Sequence, residues 1–488
     1  NGTMKTSYRK ILPLFGIGAG LQLTAWPASA HAFGVRYDLP LPLGLYLTAA
    51  GAVVLLSFIV MARFLRQRGG SGETLRFDLL ALPGAGWLGS SVTLGALRCL
   101  SVALFLLLLA AGFFGNPDPL KNIAPTFIWV VWWVGMAFIS ALAGNLWDLV
   151  NPWNILFAWY ERAAGAFRPA FAYPDWLGHW PAVLLFLAFA WMELISEQAE
   201  QPRVLATMIA VYSALTWTGM ALFGRGIWLR NGEAFATVYG LLARFAPTVG
   251  KAGRWELRLP AVGLLSDRPV PVPTVCFVLL LLTTVTFDGI LETPMWAGIL
   301  EQIAESQTLR TPLIALQNGG VDLIVLIKTI ALAVLPCVFA AVYLIFSHAI
   351  AMFGSRGRVP SRDVFGYFVL SLIPIAIAYH LSHYLSYLLI AGQYIIPQAS
   401  DPFGRGWDLF GTAAYQIDIG IVNAKMVWYT AITAIIIGHV LAVYVAHIMA
   451  MRVFADRGAA QRSQIPMLVL MVVYTMISLW ILSQPIVN

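Results

Sequence analysis

Stretches of about twenty apolar residues recur along almost the whole chain, separated by short polar segments that hold most of the Lys and Arg. Each is long enough to cross a hydrocarbon core of about 30 Å as a helix. The pattern predicts spans near 41–64, 94–115, 124–144, 180–198, 203–223, 272–292, 320–348, 364–394, 426–450 and 466–486. The expected fold class is therefore an all-α, polytopic transmembrane helix bundle of ten spans, or eleven if an N-terminal apolar segment is retained. Ten spans divide into two fives, and an odd number per half gives two inverted five-helix halves, a plan used by many transporters. Trp147-Asp148-Leu149 and Trp407-Asp408-Leu409, each after the third span of its half, fit that division.

Charge orients the bundle. Arg63, Arg66, Arg68 and Arg76 follow the first span, and Arg162 and Arg168 the third. The stretch from Arg225 to Arg268, then Arg356, Arg358 and Arg362, then Arg452, Arg457 and Arg462 fall on the same side, which the positive-inside rule makes cytoplasmic. Loops 116–123, 199–202, 293–319 and 395–425, and the C-terminus, are then periplasmic. From Met4, a basic start (Lys5, Arg9, Lys10), an apolar stretch and Ala28-Ser29-Ala30 fit a secretory signal, the alternative being an uncleaved first helix. The organisation expected is a signal peptide or first helix over 4–30, an N-terminal membrane half over 31–271, and a C-terminal half over 272–488. Cleavage before His31 would leave a terminal amine and imidazole able to chelate a metal. Within the first half, the connection 224–271 contains an apolar-faced segment from Glu233 onwards. It reads as an amphipathic helix on the inner surface or as a helix packed under the bundle. In Gly144-Asn-Leu-Trp-Asp-Leu-Val-Asn-Pro-Trp-Asn154 the Asn-Pro breaks a helix, which suits a re-entrant or interfacial turn.

Of 488 residues 59% are hydrophobic and 11% charged, against about a quarter charged in soluble domains, so no soluble domain of any size is expected. The net charge of +7 reflects loop topology and gives no reason to invoke nucleic acid. Cys99, Cys276 and Cys337 are far apart in apolar runs, which argues against a disulfide framework or a thiolate metal site. No phosphate-cradling glycine motif, Cys-x-x-Cys-His heme attachment or G-x-S-x-G elbow is present.

Ionisable groups inside apolar spans are costly and are candidates for function. His380 and His383, at i and i+3 on one predicted span, and His439 on the next fall at similar depth. They are candidate ligands for a zinc-like divalent metal, and the alternative is a set of core histidines hydrogen-bonded to Ser382, Tyr379 and Tyr384. His348 and His447 near the inner ends form a possible second site or half of a heme b pair, or are interfacial. Asp288, near the outer end of its span, is a candidate base or metal-site carboxylate, and Lys328 its expected ion-pair or proton-relay partner. Arg98 and Glu193 carry no assigned role. The loop 392–408 is dense in polar and turn residues and reads as a lid over the histidines or an ordinary ordered loop.

Three stretches carry a resemblance: His31-Ala-Phe-Gly-Val-Arg-Tyr-Asp-Leu-Pro-Leu-Pro-Leu, Gly144-Asn-Leu-Trp-Asp-Leu-Val-Asn-Pro-Trp, and Ser400-Asp-Pro-Phe-Gly-Arg-Gly-Trp-Asp-Leu-Phe-Gly-Thr412. With them the chain resembles bacterial multi-pass proteins labelled fenitrothion hydrolase. The resemblance implies a bacterial inner-membrane location and hydrolysis of lipophilic phosphotriesters. It supplies no residue roles. A metal on His380, His383 and His439 would suit that chemistry by polarising a phosphoryl oxygen or generating hydroxide. Two other expectations stand beside it. One is a permease with a proton- or metal-coupled site using Asp288, Lys328 and the histidines; the other is a b-type heme or quinone-linked membrane subunit. All three place the chain in a lipid bilayer. The first implies a lipophilic small-molecule substrate, and a membrane or periplasmic protein partner stays open.

Overall fold

The computed structural model describes residues 39–64, 77–165, 168–251, 253–355, 358–454 and 456–487. The signal-like segment 4–30 and His31 lie outside them. Among the described residues ten helices are long and apolar enough to cross a membrane, as the hydropathy pattern predicts. In chain order the elements are α1 (Leu43–Phe64), α2 (Ser91–Phe114), α3 (Ile123–Leu142), the short α4 (Pro152–Ala164), α5 (Asp175–Leu194), α6 (Pro202–Phe223), the short α7 (Ala234–Ala243), α8 (Val272–Leu291), α9 (Leu323–Gly354), α10 (Ser361–Ser400), α11 (Ala424–Val453) and α12 (Arg457–Gln484). A three-stranded antiparallel sheet, β1 (Phe77–Asp78), β2 (Thr248–Lys251) and β3 (Arg254–Leu257), has the order β1-β3-β2. It joins the segment after α1 to the one after α7, with Asp78 opposite Glu256 and Val249 opposite the same residue on the other edge.

Local sequence explains where the helices start and bend. Ser90 caps α2 by accepting from Thr93 N at 3.2 Å, and Asn423 caps α11 through Met426 N at 2.8 Å. Within α3, Thr126–Gly135 are wound as a π-helix, a geometry concentrated at functional sites. Inside α10 the regular winding stops at Val369–Leu372, immediately before Pro374, whose ring lacks the N–H and crowds the preceding turn. The broken turn lies just ahead of His380.

Packing sets which helices can carry a buried polar site. α8 and α10 are the two most enclosed spans, whereas α9 has the smallest share of fully buried residues. Gly438 on α11 lies against the Ala378 methyl and the Pro374 carbonyl of α10, so the two helices approach closely here. α1 packs on α11 and α12, a contact that crosses the boundary between the two sequence halves.

Two short helices begin in the middle of the bundle. After α3 the chain climbs again, and the Val150 carbonyl accepts from Ser101 Oγ, midway along α2. Asn151 then caps α4 through Asn154 N at 3.1 Å, with Pro152 at the first helical position, and α4 runs back. Trp153, at its start, packs against Phe105 of α2 and donates its indole N–H to Ser213 Oγ, midway along α6, at 2.7 Å. The Asn-Pro segment is thus re-entrant. The connection after α6 does the same: Phe235, at the start of α7, sits against Trp132 of α3, Phe189 of α5 and Tyr212 of α6. Most of α7 is buried, so the surface-helix alternative for this segment is corrected: its apolar side chains meet protein on all sides.

Candidate functional site

The polar centre of the bundle lies between α8 and α10. Asp288 Oδ2 stands 2.7 Å from His383 Nε2 and accepts a hydrogen bond from the Tyr384 hydroxyl at 2.8 Å. The His383 side chain is 1% exposed and that of Asp288 18%, so the imidazole is sealed while its carboxylate keeps a path outward. Asp288 sits one turn from the end of α8 that the charge pattern assigns to the periplasm, and Glu292 lies a further turn on. Partial burial and then the Asp288 carboxylate hold the Glu292 carboxyl above its usual range, with His383 and Lys328 acting the other way.

A second carboxylate comes from the first half of the chain. Glu193, near the end of α5, accepts the Trp133 indole N–H at 2.5 Å and is within electrostatic reach of Asp288. The Trp133 ring lies 6.0 Å from the His380 ring, edge to face. Sequence reasoning assigned Glu193 no role. The signal was present, since it is an acid inside an apolar run.

The other predicted residues fall elsewhere. Positions 380 and 383 are separated by roughly 60° around the helix, and their rings diverge: His383 turns to Asp288, while His380 packs among Trp133, Phe138 and Tyr384. His439 follows Gly438, the residue that faces α10, and is rotated about 100° from it. Its ring meets Tyr474 of α12 at 5.8 Å, and its Nδ1 bonds the Ile435 carbonyl of its own helix at 2.8 Å. Among the described residues no group of three or more His, Cys, Asp or Glu is placed to hold a metal ion. The alternative, hydrogen-bonded core histidines, is also only partly met, since Ser382 bonds the Ala378 carbonyl and not a ring. His447 Nδ1 lies 2.8 Å from Gln464 Oε1, and His348 Nδ1 3.0 Å from Ser361 Oγ, so each ring is engaged by its own neighbour. Lys328 is only partly buried, and His383 and Tyr384 both engage the Asp288 carboxylate.

At the tips of the two half-helices Asn151 Nδ2 and Glu233 Oε2 approach to 3.4 Å. The buried Glu233 carboxylate caps α7 through Phe235 N at 2.9 Å and Ala236 N at 2.7 Å, and accepts the Tyr212 hydroxyl. The loop 401–423 is tightly ordered: Asp401 takes Arg405 N and Gly406 N, and Ser400 Oγ lies 2.7 Å from Thr412 Oγ1. Asn116 N and Ile123 N bond the Phe403 and Pro402 carbonyls, which fastens this loop to the start of α3. Gly404 has φ 65°, and a Cβ there would strike the Lys121 carbonyl.

No family model, curated protein or solved structure matches this chain. The arrangement itself must therefore carry the functional reading. One imidazole, two carboxylates and a phenol from three helices, inside a multi-pass membrane protein, are groups suited to holding and passing a proton.

Proposed function

We propose that this chain is a secondary transporter in which Asp288 and His383 are the proton-carrying pair. The observation that carries the reading is their 2.7 Å contact across two enclosed spans. An ionisable pair at that depth is costly to keep and marks ion or substrate pathways. The two half-helices that start at mid-span support the same class, because transporters build their central sites from interrupted helices. Metal-dependent phosphotriester hydrolysis, which the resemblance suggested, lacks converging ligands in this geometry.

The test uses proteoliposomes with a pH dye in the lumen, exposed to a panel of lipophilic compounds that includes a phosphotriester. The transporter reading expects compound-dependent proton movement in the wild type and its loss in Asp288→Asn. Cleavage of the triester with no proton movement, or equal proton movement in wild type and variant, overturns it.

A further inference from the structure

A cavity of about 1260 Å³ opens in the first half of the chain, bounded by α2, α3, α5, α6 and the starts of α4 and α7. We infer that this cavity is the binding site for a lipophilic solute, uncharged over its buried part, that reaches it sideways from the bilayer. The inference rests on the transporter reading for the solute's role and deepens it by naming the solute class.

Three observations carry it. First, the deep wall is aromatic and aliphatic, formed by Phe105, Trp129, Trp132, Trp153, Phe189 and Phe235. The indole N–H groups of Trp129 and Trp153 are already given to the Ala199 carbonyl and to Ser213 Oγ. Apart from the Trp132 indole N–H, the wall offers ring faces and methyl groups, and a ligand carrying an unpaired charge or several hydrogen-bonding groups would lose its hydration there without replacement. Second, the charged residues of the lining, Glu197, Arg203 and Asp322, lie in the segment before α6, at its first turn and just before α9. They collect at one end, on the expected periplasmic side, where a polar group of the solute would sit. Third, Leu100 of α2 and Val211 and Leu215 of α6 line the cavity and are 57%, 55% and 50% exposed at mid-span. α2 and α6 are held together at one end, where Gly112 meets Ala206 and the Pro202 carbonyl. The exposed lining residues lie away from that contact, so the gap between the two helices faces hydrocarbon.

The starts of the half-helices close the other end of the cavity. Val150, Pro152, Trp153 and Phe235 line it there, and the Asn151 and Glu233 caps lie directly behind them. A solute that enters from the bilayer would meet this floor at the middle of the membrane.

The experiment measures binding of N-phenyl-1-naphthylamine, a neutral lipophile that fluoresces in apolar sites, to the full chain in lipid nanodiscs. Wild type should bind saturably above empty nanodiscs, with energy transfer from tryptophan. Ala188→Trp, which fills the cavity from α5, should weaken binding at least tenfold. Leu104→Trp, from the facing helix α2, gives the same reading if Ala188→Trp fails to fold. Leu184→Trp, one turn from Ala188, exposed and outside the lining, should bind as wild type does. Wild-type signal no greater than that of empty discs, unchanged binding in both cavity-filling variants, or a phospholipid that the probe does not displace overturns the inference. Asp288→Asn should retain binding. Loss of proton movement with binding intact then separates failure of the coupling reading from failure of this one.

Discussion

Replacing Asp288 by Ala removes the acceptor of two hydrogen bonds, from His383 at 2.7 Å and Tyr384 at 2.8 Å. A hydrogen bond to a charged group contributes about 1.5–3 kcal/mol, so two would total about 3–6 kcal/mol. Removing one partner of a buried ion pair costs about 3–5 kcal/mol by a separate route, because the other is left without compensation. Since the Asp288 side chain is 18% exposed, water can reach part of the vacated space, which favours the lower end, about 3 kcal/mol. Asp288→Asn keeps an acceptor oxygen in the same place and should cost less, about 1–2 kcal/mol. Reversible unfolding in mixed micelles, titrated with a denaturing detergent, ranks the variants. The expected order is wild type, Asn, Ala. A cycle combining Asp288→Ala with Tyr384→Phe should show coupling of about 1 kcal/mol or more. If Asp288→Ala unfolds at the wild-type midpoint, or the two changes add without coupling, the pair holds nothing together and the argument built on its geometry fails.

Trp133→Phe keeps the ring but takes the indole N–H from Glu193; leaving a buried acid short of its donor should cost about 1–3 kcal/mol in the same unfolding assay, and no loss would mean that Glu193 finds another partner. Gly438→Ala directs a methyl group at Ala378 and to 2.8 Å from the Pro374 carbonyl, so α10 and α11 must separate at about 1–3 kcal/mol; a neutral result would contradict the close approach. The separation of His380, His383 and His439 predicts less than one equivalent of tightly bound zinc on purified protein. Elemental analysis checks this, and a stoichiometric metal lost in His383→Ala would restore the ligand reading.

Hydropathy was enough to find the ten spans among the described residues, because a bilayer requires long apolar helices wherever the chain crosses it. The Asn-Pro break was legible as a re-entrant turn for a local reason: Pro152 begins a helix and Asn151 caps it. The start of α7 was harder to read. Glu233 is as good a cap for a surface helix as for one starting at mid-span, and only its contacts with Tyr212 and Asn151 decide between them. For the histidines, rise per residue speaks to depth and leaves azimuth undetermined. His439 shares a helix with Gly438, yet Gly438 faces α10 and the ring one position on faces α12. Depth along a helix follows from counting residues, whereas the direction of a side chain depends on which neighbour the helix chooses. Asp288 was legible as an acid inside an apolar run, but its contact with His383 was not, because pairing across helices depends on how α8 and α10 rotate against each other.

If transport links a solute in the cavity to a proton on Asp288, α3 is the element placed between the two sites. Trp132 lines the cavity, whereas its neighbour Trp133 packs against His380 and donates to Glu193, an acid within electrostatic reach of Asp288. Both rings also meet Phe235 and Tyr239, so α3 is seated on the half-helix α7 as well. Two adjacent tryptophans on a helix face different neighbours, and here one is committed to the apolar cavity and the other to the polar pair. The winding at this point is π and not α, a rare geometry that is frequent at functional sites. A solute that pushed on Trp132 would be resisted through Trp133 by the acids behind it. The test is a double-variant cycle: if Trp132→Ala and Asp288→Asn affect solute binding additively, α3 does not couple the two sites.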